Sequence, residues 1–125
     1  MTAFRDSLQS NFIPNTNNIV LTEDLHYWCA RTQRTYIVPA GFISDCASIP
    51  KVLWPIIGHP FDARWRKEAV LHDWFYRSTT PIVNRKTADQ IFYDGLRANG
   101  LGYMKAQSMY FGVRIGGRTG WSSNP

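Results

Sequence analysis

The spacing of apolar residues changes period along the chain. Ile19-Val20-Leu21 is followed by Leu25, Tyr27 and Cys29 alternating with Asp24, His26 and Trp28. A period of two is that of a strand with one buried face. Arg31-Thr32-Gln33-Arg34 reads as a polar turn and Thr35-Tyr36-Ile37-Val38 as the return strand, which predicts a β-hairpin or small antiparallel sheet. Pro39-Ala40-Gly41 ends the ladder, because proline has no N–H to donate to it. Phe42 to Trp54 follows as a connector, and Pro50, Pro55, Gly58 and Pro60 forbid a long regular element before Phe61. The connector is apolar for a loop and is expected to pack on the core.

Beyond it the period becomes helical. From about Ala63 to Ser78, the residues Trp65, Ala69, His72 and Tyr76 recur on one face, Leu71, Trp74 and Phe75 widen the apolar stripe, and Asp62 is placed to cap the start. Thr79-Thr80-Pro81 ends this helix. A second begins after Asn84 and runs to about Asn99, burying Ala88, Ile91, Phe92, Gly95 and Leu96, with Gly100 as its C-terminal stop. A third stretch from about Tyr103 to Phe111 carries Ala106, Gln107 and Tyr110. Residues 1–18, rich in Asn around Pro14, read as a lead-in arm, and the Gly-rich residues 112–125 as a loosely docked tail. The expected organisation is a single domain with its core over 19–111. Its fold class is α+β, a small antiparallel sheet or hairpin followed by two or three packed helices, the first two antiparallel because their connection is short.

Composition narrows the class. A chain of 125 residues can bury one sizeable core, and 44% hydrophobic residues with 14% aromatic exclude a disordered chain. No apolar run approaches the roughly 20 residues of a membrane span, and Met1 to Asp6 lacks the basic-then-apolar pattern of a secretory signal. Cys29 and Cys46 form no CxxC pair and read as reduced, partly buried thiols, with a disulfide between them as the alternative. The net charge of +5 comes from residues such as Arg64, Arg66, Lys67, Arg77, Arg85, Lys86, Arg114 and Arg118, interleaved with acids. That pattern reads as a solvated basic surface, and nucleic acid is not an expected partner.

The candidate chemistry lies between the first two helices. Packed antiparallel, they bring His72 and Asp73 close to Asp89, and Asp45 could reach the same place from the preceding loop. An imidazole oriented by a carboxylate can serve as a general base on water. His72 with Asp45, Asp73 and Asp89 is equally a workable shell for a divalent cation. The cluster can also be a buried hydrogen-bonded pair with Tyr76 as a further partner, and Asp45 a turn residue bonding loop amides. The residue types leave all three open. His59, between Gly58 and Pro60, and His26, on the strand beside Trp28, read as ordinary histidines. The chain has no phosphate-binding glycine loop, no GxSxG and no HExxH.

Three motifs in order, Ser44-Asp45-Cys46-Ala47-Ser48-Ile49-Pro50, Ala69-Val70-Leu71-His72-Asp73-Trp74-Phe75-Tyr76 and Ala88-Asp89-Gln90-Ile91-Phe92, resemble those of a phage and prophage family of small proteins catalogued as a domain of unknown function. The resemblance runs from about Phe42 to Gly100, with Cys46 standing where members usually have glycine. It implies a tailed-phage or prophage source, synthesis in the host cytoplasm, and virion proteins as partners. The His72-Asp73-x-x-Tyr76 helix with Asp89 on its neighbour also resembles phospholipases of the A class. That resemblance implies His72 as the base for water, Asp73 as a calcium ligand and Asp89 as the group that orients His72. The glycine-rich calcium loop and the disulfide framework of those enzymes have no counterpart here.

Two functions are therefore expected. One is a virion-associated hydrolase acting on a cell-envelope ester or amide through His72, Asp73, Asp89, Tyr76 and Asp45. The other is a structural component of a tail, neck or baseplate, in which the cluster only satisfies its own buried groups.

Overall fold

A computed structural model describes residues 3–5, 7–16, 18–44, 65–78 and 82–116. Asp45, Cys46, His59, Asp62 and the segment 117–125 lie outside the described residues. The chain divides into two compact units, Met1–Asp45 and Cys46–Pro125. The α+β class holds: short antiparallel strands are followed by helices.

The first unit carries β1 (Ala3–Phe4), β2 (Ser10–Phe12), β3 (Ile19–Leu21), β4 (Leu25–Cys29), β5 (Arg34–Val38) and β6 (Ile43–Ser44). They form two three-stranded antiparallel sheets, ordered β1-β4-β5 and β2-β3-β6. The predicted hairpin is β4–β5, in register with Leu25 opposite Val38 and Tyr27 opposite Tyr36. Leu25, Tyr27, Cys29, Tyr36 and Val38 are buried, while Trp28 and Ile37 point outward, so the period-two pattern sets the register. Cys29 is a buried free thiol.

The segment read as a lead-in arm contributes two strands. Phe4 pairs with Tyr27 of β4, their rings 4.7 Å apart, and Phe12 pairs with Ile19 of β3. Ladder hydrogen bonds come from the backbone, so Ser10 and Asn11 can occupy a strand despite their polar side chains. The Asn-rich stretch is the connection of a second hairpin: Ile13 N–H donates to the Asn18 carbonyl, and Asn15 adopts φ 62°, a left-handed conformation asparagine tolerates. Ile43 and Ser44, expected in the connector, instead form β6 against β3. Gly41, at φ 90°, makes this return, its N–H donating to the Leu21 carbonyl.

The second unit carries α1 (Arg66–Arg77), α2 (Arg85–Ala98) and α3 (Tyr103–Gly116). Helix α1 starts after Trp65 with no side-chain cap. Helix α2 follows its predicted limits: the Asn84 side chain accepts from Thr87 N–H at 2.8 Å, and Gly100 leaves the helix at φ 98°. Replacing Asn84 by Ala is expected to lower the unfolding free energy by about 1 kcal/mol, read from urea denaturation, because it orphans a first-turn amide. An unchanged midpoint would show that solvent replaces the cap without cost.

Helix α3 runs past its predicted end at Phe111 to Gly116, which takes the start of the expected tail into the helix. Tertiary burial overrides the weak propensity of Gly112, since Ala106, Met109 and Val113 pack with Trp65, Phe92, Leu96 and Leu101 in one apolar cluster. No helix among the described residues is long and apolar enough to cross a membrane.

Candidate functional site

The site lies between α1 and α2 and is closed from one side by α3. Glu68 bonds Asn99, His72 stacks on Phe92, and Arg85 reaches Tyr76. The residue numbers rise on one helix as they fall on the other, so the two are antiparallel as predicted. On α1, Glu68, His72 and Tyr76 follow at intervals of four, which places them above one another on one face.

The Asp89 carboxylate is the centre of the cluster. Its Oδ1 lies 2.6 Å from His72 Nε2 and accepts from the Tyr76 hydroxyl at 2.5 Å. Its Oδ2 accepts from Arg114 of α3 at 2.9 Å, and Arg85, one turn before it on α2, lies 3.6 Å away. Arg85 is itself fixed by bonds to the Arg114 carbonyl at 2.9 and 3.2 Å. Asp89 is 0% and His72 1% exposed, while the Arg85 and Arg114 side chains that reach the carboxylate are 18% and 30% exposed, so a buried acid is met by cations at its edge.

Burial pushes the Asp89 carboxyl up, but the bonds from His72, Tyr76 and Arg114 outweigh it and hold the group below the ordinary aspartate value. Burial, and then the carboxylate beside it, push the Tyr76 phenol well above its usual range, so Tyr76 is a hydrogen-bond donor at neutral pH. An ionised Asp89 can only accept, so His72 Nε2 is the donor of this bond, and the tautomer that leaves one proton on the ring has its lone pair at Nδ1. That Nδ1 is buried and has no hydrogen-bond partner among the described residues.

Of the predicted site residues, the fold brings together His72, Tyr76 and Asp89. Asp73, adjacent in sequence, lies about 100° round the helix, and its Oδ1 accepts from Arg77 at 3.0 Å. Asp45 is outside the described residues. Of the described members of the expected cation shell, His72 Nε2 is bound to Asp89, Asp89 also accepts from Tyr76 and Arg114, and Asp73 Oδ1 accepts from Arg77. Among the described residues no group of three or more His, Cys, Asp or Glu side chains is arranged to hold an ion.

Three residues of the site escaped the sequence reading. Arg85 and Arg114 counted there only as surface charge, although Arg85 stands at the i, i+4 distance from Asp89 that signals a helical pair. Arg114 carried no such signal, because its helix was expected to stop short of it. Glu68 is 1% exposed, and burial raises its carboxyl to about 7 despite the opposing hydrogen bonds from its own backbone N–H and from Asn99. Its position one turn before His72 was the available clue.

A separate cavity of about 550 Å³ opens at the α2–α3 junction, lined by Trp65, Leu101, Tyr103 and Met104 among others. It is not formed by His72 or Asp89.

The family model described as "Protein of unknown function (DUF1353)" matches residues 19–113. The chain is 41% identical over 76 residues to "Uncharacterized protein y4jT" of Sinorhizobium fredii, a match over 61% of this chain and 22% of that protein. It is 34% identical over 70 residues to "Uncharacterized protein y4iH" of the same organism, over 56% of this chain and 28% of that one. The matched segment thus spans about a quarter of the length of these curated relatives. No solved structure matches the chain.

Proposed function

The chain belongs to the family of proteins of unknown function DUF1353, and from that premise we propose that it is a hydrolase in which His72, oriented by Asp89, takes a proton from water. The observation that carries this reading is the division of labour on one ring: Nε2 is bound to Asp89 at 2.6 Å, while Nδ1 is buried with no hydrogen-bond partner among the described residues. In the step, a water O–H bond breaks as the Nδ1–H bond forms, and the water oxygen bonds to the carbonyl carbon of an ester or amide while the C=O π pair moves onto its oxygen; when that pair returns, the ester C–O or amide C–N bond breaks and the leaving alcohol or amine takes the proton from Nδ1. The imidazolium formed in between faces a carboxylate already held ionised, which lowers the barrier to proton transfer. Tyr76 and Arg114 fix that carboxylate and so act as positioning residues.

A cell-envelope ester or amide as substrate, and a tailed-phage particle as the setting, rest on the motif resemblance. Turnover of phospholipid vesicles, peptidoglycan and simple carboxylic esters tests the chemistry. Wild-type protein is expected to hydrolyse one class, and His72→Ala to lose at least about a hundredfold of that rate. Equal rates in the two proteins would sink the assignment. Mass spectrometry of purified particles tests the setting.

A second reading has its own observation. His72 and Asp89 are almost fully enclosed, as a purely structural network in a virion component would be. It predicts no turnover of any substrate, together with a stability loss on replacing either residue.

A further inference from the structure

In the helical unit, two buried acceptor atoms have no hydrogen-bond partner among the described residues: His72 Nδ1 and Glu68 Oε2. They belong to side chains one turn apart on the same face of α1, whose Cβ atoms are therefore about 6 Å apart. Neither side chain is free to turn elsewhere. Glu68 Oε1 is held by Asn99 at 2.8 Å. The His72 ring is fixed by Asp89 and lies against Tyr76 and Phe92, with centroids 4.3 and 4.8 Å away. Leaving either acceptor unsatisfied costs its full desolvation penalty, and protein interiors meet such groups with ordered water.

We infer that Glu68 and His72 together hold a single water molecule between Oε2 and Nδ1, and that this is the water His72 activates. The stoichiometry fits: two acceptors meet the two O–H bonds of one water. Both protons are then engaged by the protein, and the lone pairs of the oxygen remain for an electrophilic carbon. Glu68 thus becomes a second residue touching the reacting molecule. Because burial raises its carboxyl to about 7, Glu68 changes state near neutral pH. Ionised, it accepts from the water; protonated, it donates to it and occupies one of the lone pairs.

The groups that bear on this titration are known. Its own backbone N–H, Asn99 just beyond the end of α2, and Lys67 of α1 act on Glu68. Asp89 of α2 and Tyr76 of α1 act on His72, with Arg85 and Arg114 behind Asp89.

The inference builds on the reading of His72 as a base, but its test does not need a substrate. A crystal structure of the wild-type chain at a resolution that shows ordered solvent is expected to place one water within hydrogen-bond distance of both atoms. In ¹⁵N-histidine-labelled protein, the His72 Nδ1 resonance is expected to register the ionisation of Glu68, and Glu68→Gln to remove that response. A dry gap, or an Nδ1 titration unchanged by Glu68→Gln, overturns the inference. If Glu68→Gln does not fold, the wild-type density decides alone. Water in place with no hydrolysis anywhere would retire the hydrolase and keep the water site. Hydrolysis lost in His72→Ala over a dry gap would do the reverse.

Discussion

Replacing Asp89 by alanine is expected to lower the unfolding free energy by roughly 3–5 kcal/mol, the scale for removing one partner from a buried ionic network. The loss is large because one side chain serves groups on three helices: His72 and Tyr76 of α1, Arg85 of its own helix, and Arg114 of α3. Without the carboxylate, the Arg114 guanidinium and the Tyr76 hydroxyl lose the acceptor they share. Asp89→Asn keeps the volume and one acceptor oxygen, so it is expected to cost less. The pH profile separates charge from packing. The folded carboxyl sits below its unfolded value, so the stability it contributes is present above about pH 4 and disappears as pH falls through the lower folded value. Asp89→Asn should lack that acid limb. Urea denaturation at several pH values measures both effects, and a loss under about 1 kcal/mol in Asp89→Ala would show that the network adds nothing net.

Glu68 is expected to give the opposite slope. Its folded carboxyl is raised from 4.5 to about 7, so the folded state holds the proton more tightly than the unfolded chain. Its contribution is full below pH 4.5 and is lost as pH rises toward 7, above which the curve is flat. The shift corresponds to about 3 kcal/mol between those limits. Glu68→Gln, which cannot ionise, should remove this slope and be the more stable protein above pH 7. Equal slopes in the two proteins between pH 4.5 and 7 would mean that Glu68 is ionised in the fold at little cost.

The parts of the fold that were legible in the sequence are those in which a side chain repeats a period. The β4–β5 hairpin follows from alternation at Leu25, Tyr27 and Cys29, and the contact of His72 and Tyr76 with Asp89 follows from intervals of four on α1 and a short connection to α2. What stayed hidden was set by the backbone or by distant partners. Strands β1 and β2 are held by ladder bonds that any side chain permits, so Ser10 and Asn11 gave no signal. Arg114 meets Asp89 across 25 positions of sequence, and no local rule links them. Asp73 follows His72 directly, so it lies about 100° round the helix, where its Oδ1 accepts from Arg77.

The attachment of all three helices to one carboxylate also bears on how the helical unit opens. Releasing α3 breaks the Arg114 bond and leaves the His72–Asp89 pair short of a counter-charge, so partial opening is penalised twice. Slowly exchanging amides of α1, α2 and α3 should therefore share one opening free energy under native conditions, as members of a single foldon do. In Asp89→Asn they should separate, with α3 exchanging first.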